Sequence, residues 1–435
     1  MDLTIVGIIG LIMVGVLLFL GVPVSYSMII VALAGISYLH SVSASSSYII
    51  KELVLNFSSY SLSVVPMFVF MGFVALKSGI GASLLEAVNK FIGHWRGGLA
   101  IAVQLACAMF GAICGSNTAT VATIGTLAVP EMKKNHYADS FSTASVACGA
   151  SLACLIPPSV QLVIYGIATE TPIGRLFLAG ILPGIVHMCI YIAAISIVLR
   201  FKPSIAPPAP KLSWKERFVA IPHSGVIEIG FVFCLSLGGL FLGWFTATEA
   251  GAIGAISLLV ITLIEKKMNF IKIKEALLLT TSVTAMVFLL IAAATALGRF
   301  YALTRIPYTL GEFVEGLDLP GFAIFGVIIL IYFVLGFVMD ALGLILLTMP
   351  VFFPIVTSTL GYDPVWFGVI IVLIISMAAV TPPIGMNVYI ISGVAKDVPL
   401  FTIFKGVWLF VVADLVMITS LLLFPVLATY LPSLL

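Results

Sequence analysis

Charge is scarce in this chain. Among 435 residues, 20 are Lys or Arg and 18 are Asp or Glu, 9% in all, against roughly 25% in soluble domains. With 62% hydrophobic residues and a mean hydropathy of +1.26, a soluble globular class is excluded and an integral membrane protein is required. The net charge of +2 gives no reason to expect a nucleic-acid partner. Cysteine is sparse too. The six residues at 107, 114, 148, 154, 189 and 234 form no C-x-x-C, and no His stands at zinc spacing from them, so they read as reduced core cysteines. The start MDLTIVGIIG has an acidic residue where a leader wants basic ones, and no A-x-A site follows, so no cleaved signal is expected. G-x-S-x-G, H-E-x-x-H and the Walker A pattern are all missing. Intramembrane hydrolysis and ATP-driven pumping lose their residues with them, and no catalytic residue or organic cofactor is expected. The long unbroken apolar runs also exclude the short alternating segments of a barrel. The fold class is all-α and polytopic, with room for about eleven to thirteen crossings or half-crossings at about 20 residues each.

What is present is small polar residues and prolines inside apolar runs. From Gly115 the chain reads GSNTATVATIGTLAVPEM, and from Ser151 it reads SLACLIPPSV. Proline removes an amide donor and leaves a carbonyl unpaired. In hydrocarbon, unwound backbone survives only where it is buried in protein or lines a cavity. The pattern recurs from Asp340 as DALGLILLTMPVFFP, LGYDPVWFG and AAVTPPIG. Pro130 follows Ser116 by 14 residues, as Pro354 follows Asp340; Pro157 follows Tyr137 by 20, as Pro382 follows Tyr362. Repeated halves with breaks in matching places mark a transporter, and the breaks mark its midplane site.

The organisation follows from these breaks. A first half over 1–200 contains a re-entrant helical hairpin at about 99–130 and a broken helix at about 142–169. Residues 201–218 form a basic hydrophilic linker. The second half, 219–435, contains a span over 321–338, a hairpin at about 340–356 and a broken helix at about 365–395. Segments 78–98 and 307–317 have the spacing of amphipathic surface helices. Two spans between the basic linker and EKKMNFIKIKE put both basic stretches on the cytoplasmic side. His94, His136 and His223 sit in polar stretches and are expected in water.

Unwound carbonyls and neutral side-chain oxygens suit a hard cation such as sodium, while half-helix N-termini suit anions. The first cation nest is Gly115, Ser116, Asn117 and Thr118 opposite Pro157, Pro158 and Ser159; the second offers Gly336, Asp340, Thr381, Pro382, Gly385 and Asn387. Two such sites imply at least two Na⁺ ions with a substrate between them, contacted by Ser116, Ser159 and Asp340. Asp340 is either a cation ligand or a helix-terminal cap. Arg299 is either a bidentate partner for a carboxylate substrate or an interfacial snorkelling side chain. Glu249 and Asp414 are further buried candidates, with Glu249 also placed to cap a helix at Thr246 or Thr248.

GSNTATVATIGTLAVPEM, LIPPSVQLVIYG, TPIGRLFLAGILPG, FTATEAG and TPPIGMN together resemble the large membrane subunit, the M or DctM type, of tripartite ATP-independent periplasmic (TRAP) transporters. The likeness runs through nearly the whole chain in order. It implies two inverted repeats of the ion-transporter superfamily and an elevator-type transport domain moving against a scaffold. It implies Na⁺ coupling, a separate small four-helix membrane subunit of the Q or DctQ type, and a periplasmic substrate-binding protein delivering an organic anion across the bacterial inner membrane. Sialic acid, C4-dicarboxylates and other sugar acids share the carboxylate such a carrier reads. Carried over residue by residue, the cation nests fall on Ser116, Asn117, Ser159, Asp340, Thr381, Pro382 and Asn387. Cys154 stands where a Gly is common, Ala247 replaces the usual Pro of F-T-P-T-E-A, and IISMAA ahead of Thr381 lacks the expected polar residue. A standalone dicarboxylate or citrate symporter, or a passive channel or scaffold subunit, are the other readings of a broken-helix membrane protein.

Overall fold

The computed structural model describes residues 2–208, 213–220, 225–317 and 319–434, and every regular element among them is helical. The chain opens with α1 (Leu3–Phe19), α2 (Val24–Leu39) and α3 (Val42–Phe57). Next come α4 (Val64–Ser78) and the short α5 (Ile80–Ile92). On α5 the apolar residues Ile80, Leu84 and Leu85 are buried, as the spacing of an amphipathic helix requires. The first hairpin is α6 (Gly98–Cys114) and α7 (Asn117–Lys134), and the first broken helix is α8 (Asp139–Gly149) and α9 (Val160–Thr169). A 29-residue helix, α10 (Ile173–Phe201), closes this half. Of the linker 201–218, residues 209–212 lie outside the described residues, as does His223.

The second half begins with α11 (Trp214–Ala220) and α12 (Val226–Phe233), which runs through a π-helical turn into α13 (Gly239–Phe241). Then come α14 (Ala247–Ile264) and α15 (Phe270–Leu303). The side chain of Asn269 caps α15 by accepting from the Lys272 amide at 2.9 Å. This 34-residue helix absorbs half of the expected basic loop and carries Arg299 within it. After α16 (Ile306–Glu315) come α17 (Gly321–Gly336), α18 (Ala341–Pro354), α19 (Pro364–Ala378), α20 (Met386–Val394), α21 (Leu400–Leu423) and α22 (Val426–Thr429). The second hairpin needs a correction. The chain breaks at 337–340, so the stretch 340–356 is only its outgoing arm, and the incoming arm is α17, expected as an independent span. Val338 and Met339 are apolar, so composition marks the tip only at its last residue, Asp340.

Among the described residues, six helical stretches are long and apolar enough to cross a membrane: 60–78, α10, α14, α15, 341–359 and α21. The shorter apolar helices interrupted by breaks fill the interior. The halves cross-pack there, α7 against α20 and α9 against α18, while α8 packs against α21. Outside this core, α2, α3, α4, α14 and α15 pack on one another, and α4 and α15 also reach the hairpins.

Candidate functional site

The first hairpin turns on two residues. Gly115 ends α6 in the left-handed region, at φ +59, where a side chain is strained. Ser116 is extended, and its Oγ accepts from the Ala119 amide at 3.4 Å, starting α7. The tip presses on the first broken helix. Gly115 O accepts from Val160 N at 3.2 Å, and a Cβ at 115 would stand 2.4 Å from Pro158 O. The break itself is enclosed. α8 tightens into a 3-10 turn, Ala150–Cys154, and the chain passes a cis Pro157–Pro158 bond. Ser159 Oγ accepts from Leu162 N at 3.3 Å and donates to Cys154 O. Ser159 is 0% exposed and works as the cap of α9.

The second pair is looser. Asp340 caps α18 through the Leu342 amide at 3.1 Å and is exposed. In the second broken helix Thr381 Oγ1 donates to Met377 O at 2.6 Å. A cis Pro382–Pro383 bond follows, and Gly385 at φ +61 starts α20 with no side-chain cap. The halves are tied by Asn387 Nδ2, which donates to Asn117 Oδ1 at 2.9 Å and to Ala147 O at 3.0 Å.

Both hairpin tips and the N-termini of α9 and α20 open on one cavity of about 420 Å³. Gly115, Ser116 and Asn117 line it from one half, Gly336, Asp340 and Asn387 from the other. Pro158, Ser159, Thr381, Pro382 and Gly385 are not among its lining residues; they shape the backbone behind the wall. Of the expected substrate contacts, Ser116 and Asp340 face the cavity. Ser159 does not, because its hydroxyl is spent on the helix cap. Arg299 does not either: it is exposed, with its guanidinium 5.8 Å from the Tyr48 ring centroid, which fits the snorkelling reading. Among the described residues Asp340 is the cavity's sole charged side chain, and no Lys or Arg lines it.

Two wall residues escaped the sequence reading. Gln161 follows Ser159 in the first turn of α9, and its Oε1, like Oδ1 of Asn387, is a buried oxygen with no hydrogen-bond partner among the described residues. A glutamine two residues past the IPPS motif, at the head of an apolar helix, was the available signal. Ser376 also lines the cavity, so IISMAA does carry a polar residue there. Glu249 is not buried. It forms a capping box with Thr246. His136 is exposed, whereas His94 is not simply in water: Arg217 Nη2 lies 3.4 Å from its Nδ1. The four cysteines at 107, 114, 148 and 154 are buried and all six are free.

The chain is similar to known proteins over most of its length. A family model described as "Tripartite ATP-independent periplasmic transporter, DctM component" matches residues 11–427. The C4-dicarboxylate TRAP transporter large permease protein DctM of Pseudomonas aeruginosa is 33% identical over 377 residues, 86% of this chain and 85% of that protein. The ectoine TRAP transporter large permease protein TeaC of Halomonas elongata is 33% identical over 428 residues, 97% of both chains. The sialic acid TRAP transporter large permease protein SiaM of Vibrio cholerae is 31% identical over 419 residues, 96% of both. In fold, the chain is similar to the YdaH transporter of Alcanivorax borkumensis, with a TM-score of 0.64 at 14% identity over 90% of this chain and 88% of that one.

Proposed function

The chain belongs to the DctM component family of tripartite ATP-independent periplasmic transporters and is a multi-pass large permease, and from there we propose that it imports a carboxylate-bearing organic anion by symport with sodium. The observation that carries this reading is the charge of the cavity. It holds one carboxylate, Asp340, and no Lys or Arg. An anion entering it meets a like charge, and two like charges about 4 Å apart cost about 4 kcal/mol at an effective dielectric of 20. Co-bound monovalent cations remove that cost. Neutral oxygens at Ser116, Asn117, Gln161 and Asn387, two of them without partners, are the ligand type a hard cation takes. At the N-terminus of α20 the Asn387 and Val388 amides are taken by Ala379 O and Gly385 O, which leaves the Met386 amide for a carboxylate. Two or more Na⁺ ions would offset Asp340 and the substrate together.

Of the substrates in the relatives' names, C4-dicarboxylates, sialic acid and ectoine carry a carboxylate and isethionate carries a sulfonate, so an anionic oxygen group is common to all of them. The remaining parts of the reading are a periplasmic binding protein that delivers the anion and a small four-helix subunit that extends the scaffold. The hairpins and broken helices, tied across the halves by Asn387, slide as one elevator body against α1–α4, α14 and α15.

The test is uptake into proteoliposomes holding this chain and its small subunit, with a C4-dicarboxylate or sialic acid and the matching binding protein. Uptake is expected only with an inward sodium gradient, and Asp340→Asn is expected to raise the sodium concentration for half-maximal uptake about tenfold, the loss of about 1.4 kcal/mol of cation binding. Undiminished uptake without sodium overturns the symport reading. Sodium-driven uptake without the binding protein identifies a standalone symporter, and non-saturating flux identifies a passive channel.

A further inference from the structure

A second ionisable cluster lies inside the membrane, away from the cavity. His187 stands at the midpoint of the 29-residue α10, equidistant from both its ends. Its Nε2 is 2.7 Å from Oδ1 of Asp414 on α21, and Tyr191 donates its hydroxyl to the same oxygen at 2.5 Å. His187, Tyr191 and Asp414 are 0%, 0% and 1% exposed. Phe410 closes the site edge-on to Tyr191, with ring centroids 5.3 Å apart. The buried Cys148 of α8 and Cys154 of the turn after it are the other titratable groups near the cluster. No other ion pair or hydrogen bond from a packed element reaches it among the described residues, and its only ion pair is internal.

Two valences are left open. Asp414 Oδ2 and His187 Nδ1 are both buried without a partner. With a neutral imidazole donating from Nε2, the cluster carries one net negative charge at mid-membrane, where an uncompensated ion is expensive. One added proton, on Oδ2 or on Nδ1, makes the cluster neutral and fills one of the two open positions. We propose that His187, Tyr191 and Asp414 form an intramembrane proton-binding site whose occupancy is linked to the movement of the carrier. The proton comes from hydronium, whose O–H bond breaks to leave water, and it adds to one lone pair of Oδ2 or Nδ1.

The linkage follows from where the helices pack. In this conformation neither open atom touches solvent, so a proton enters or leaves only when α10 or α21 separates from its neighbours. Those neighbours are the broken helices themselves: Gly180 and Gly184 of α10 lie against Leu155 and Ile156 at the first break, and α21 packs on α8, α19 and α20. A motion that moves the breaks therefore opens or occludes the site.

The experiment is infrared difference spectroscopy of the full chain in lipid between about pH 6 and about pH 9, a window that brackets imidazole titration. The wild type is expected to show a carboxylic-acid carbonyl band or imidazolium bands at the acid end, lost in Asp414→Asn and, independently, in His187→Gln. Spectra identical in wild type and both variants overturn the site. The link is read by uptake across the same pH range at a fixed sodium gradient. The wild-type rate is expected to change several-fold with pH and the His187→Gln rate to be flat; matching pH profiles overturn the link. The infrared readout does not depend on transport, so failure of the symport reading and failure of the proton site are separable.

Discussion

The two breaks are built from the same ingredients and differ in how tightly they are closed. At the first, Gly115 lies against Pro158, Ser159 is fully buried, and a serine side chain caps each outgoing helix. At the second, the hairpin tip is four residues long, Val338 is 68% exposed, Pro383 is exposed and α20 starts on a glycine without a cap. The first break is packed shut around the Ser159 cap, whereas at the second Thr381 is spent on Met377 O and Asp340 and Asn387 face the cavity. A rigid wall and an open wall on the same space is a sensible division for a carrier, since one side must hold the ligand geometry and the other must admit the ligand.

Alanine at the positive-φ glycine of each break, Gly115 and Gly385, tests this contrast most severely. In Gly115→Ala the new Cβ meets a backbone oxygen at 2.4 Å, which cannot rotate away. In Gly385→Ala the nearest atom is the Phe404 ring at 3.0 Å, which can. Strain at positive φ costs about 1–2 kcal/mol for a non-glycine residue. Gly385→Ala should stay near that figure, and Gly115→Ala should exceed about 3 kcal/mol once the backbone shift is added. Thermal unfolding in detergent reads both, and equal losses would erase the distinction between a closed and an open break.

A smaller effect separates the oxygens that hold the fold from those free for a ligand. Asn387→Leu removes the donor to Asn117 and Ala147, so stability should fall by about 1–3 kcal/mol. Gln161→Leu removes a buried oxygen with no partner, so stability should hold while the sodium requirement of uptake rises. Equal stability losses in the two variants would show that Gln161 has a structural partner instead.

The smallest effect lies at the water-exposed end of this assembly. Lys133 at the end of α7 pairs with Asp397 after α20, and this hydrogen bond holds the Asp397 carboxyl below the usual range. A depressed folded pKa contributes stability that is complete above the ordinary carboxyl value of about 4 and lost as pH falls through the folded value. Lys133→Ala should therefore lower the melting temperature slightly at neutral pH, and the difference should vanish in acid. A difference that persists below about pH 3 would assign the effect to packing rather than charge.

The breaks were legible because Gly and Pro restrict the backbone locally, whatever surrounds them. The second hairpin tip was misplaced because Val338 and Met339 carry no compositional mark, and its incoming arm read as a plain span. Arg299 looked like a substrate partner because charge in an apolar stretch invites function, yet its position on α15 turns it toward Tyr48. Ser159 was recognised as important for the wrong reason, since a serine after Pro-Pro reads equally as a ligand or as a cap. His187 went unremarked although a histidine at the centre of a long apolar run was there to be seen, and Asp414 was noticed without its partner.

Composition and periodicity by themselves determined that this chain lives in a membrane, is all helix, and interrupts its helices near Gly115, Pro157, Asp340 and Pro382. Those are consequences of solvation and of φ/ψ limits, which act residue by residue. Only the tertiary structure decided which oxygens face the cavity, that Asn117 meets Asn387 across 270 residues, and that His187 meets Asp414 across 227. Such pairings depend on how distant helices pack, and side-chain orientation at a break is set by the neighbour that covers it rather than by the residues that make it.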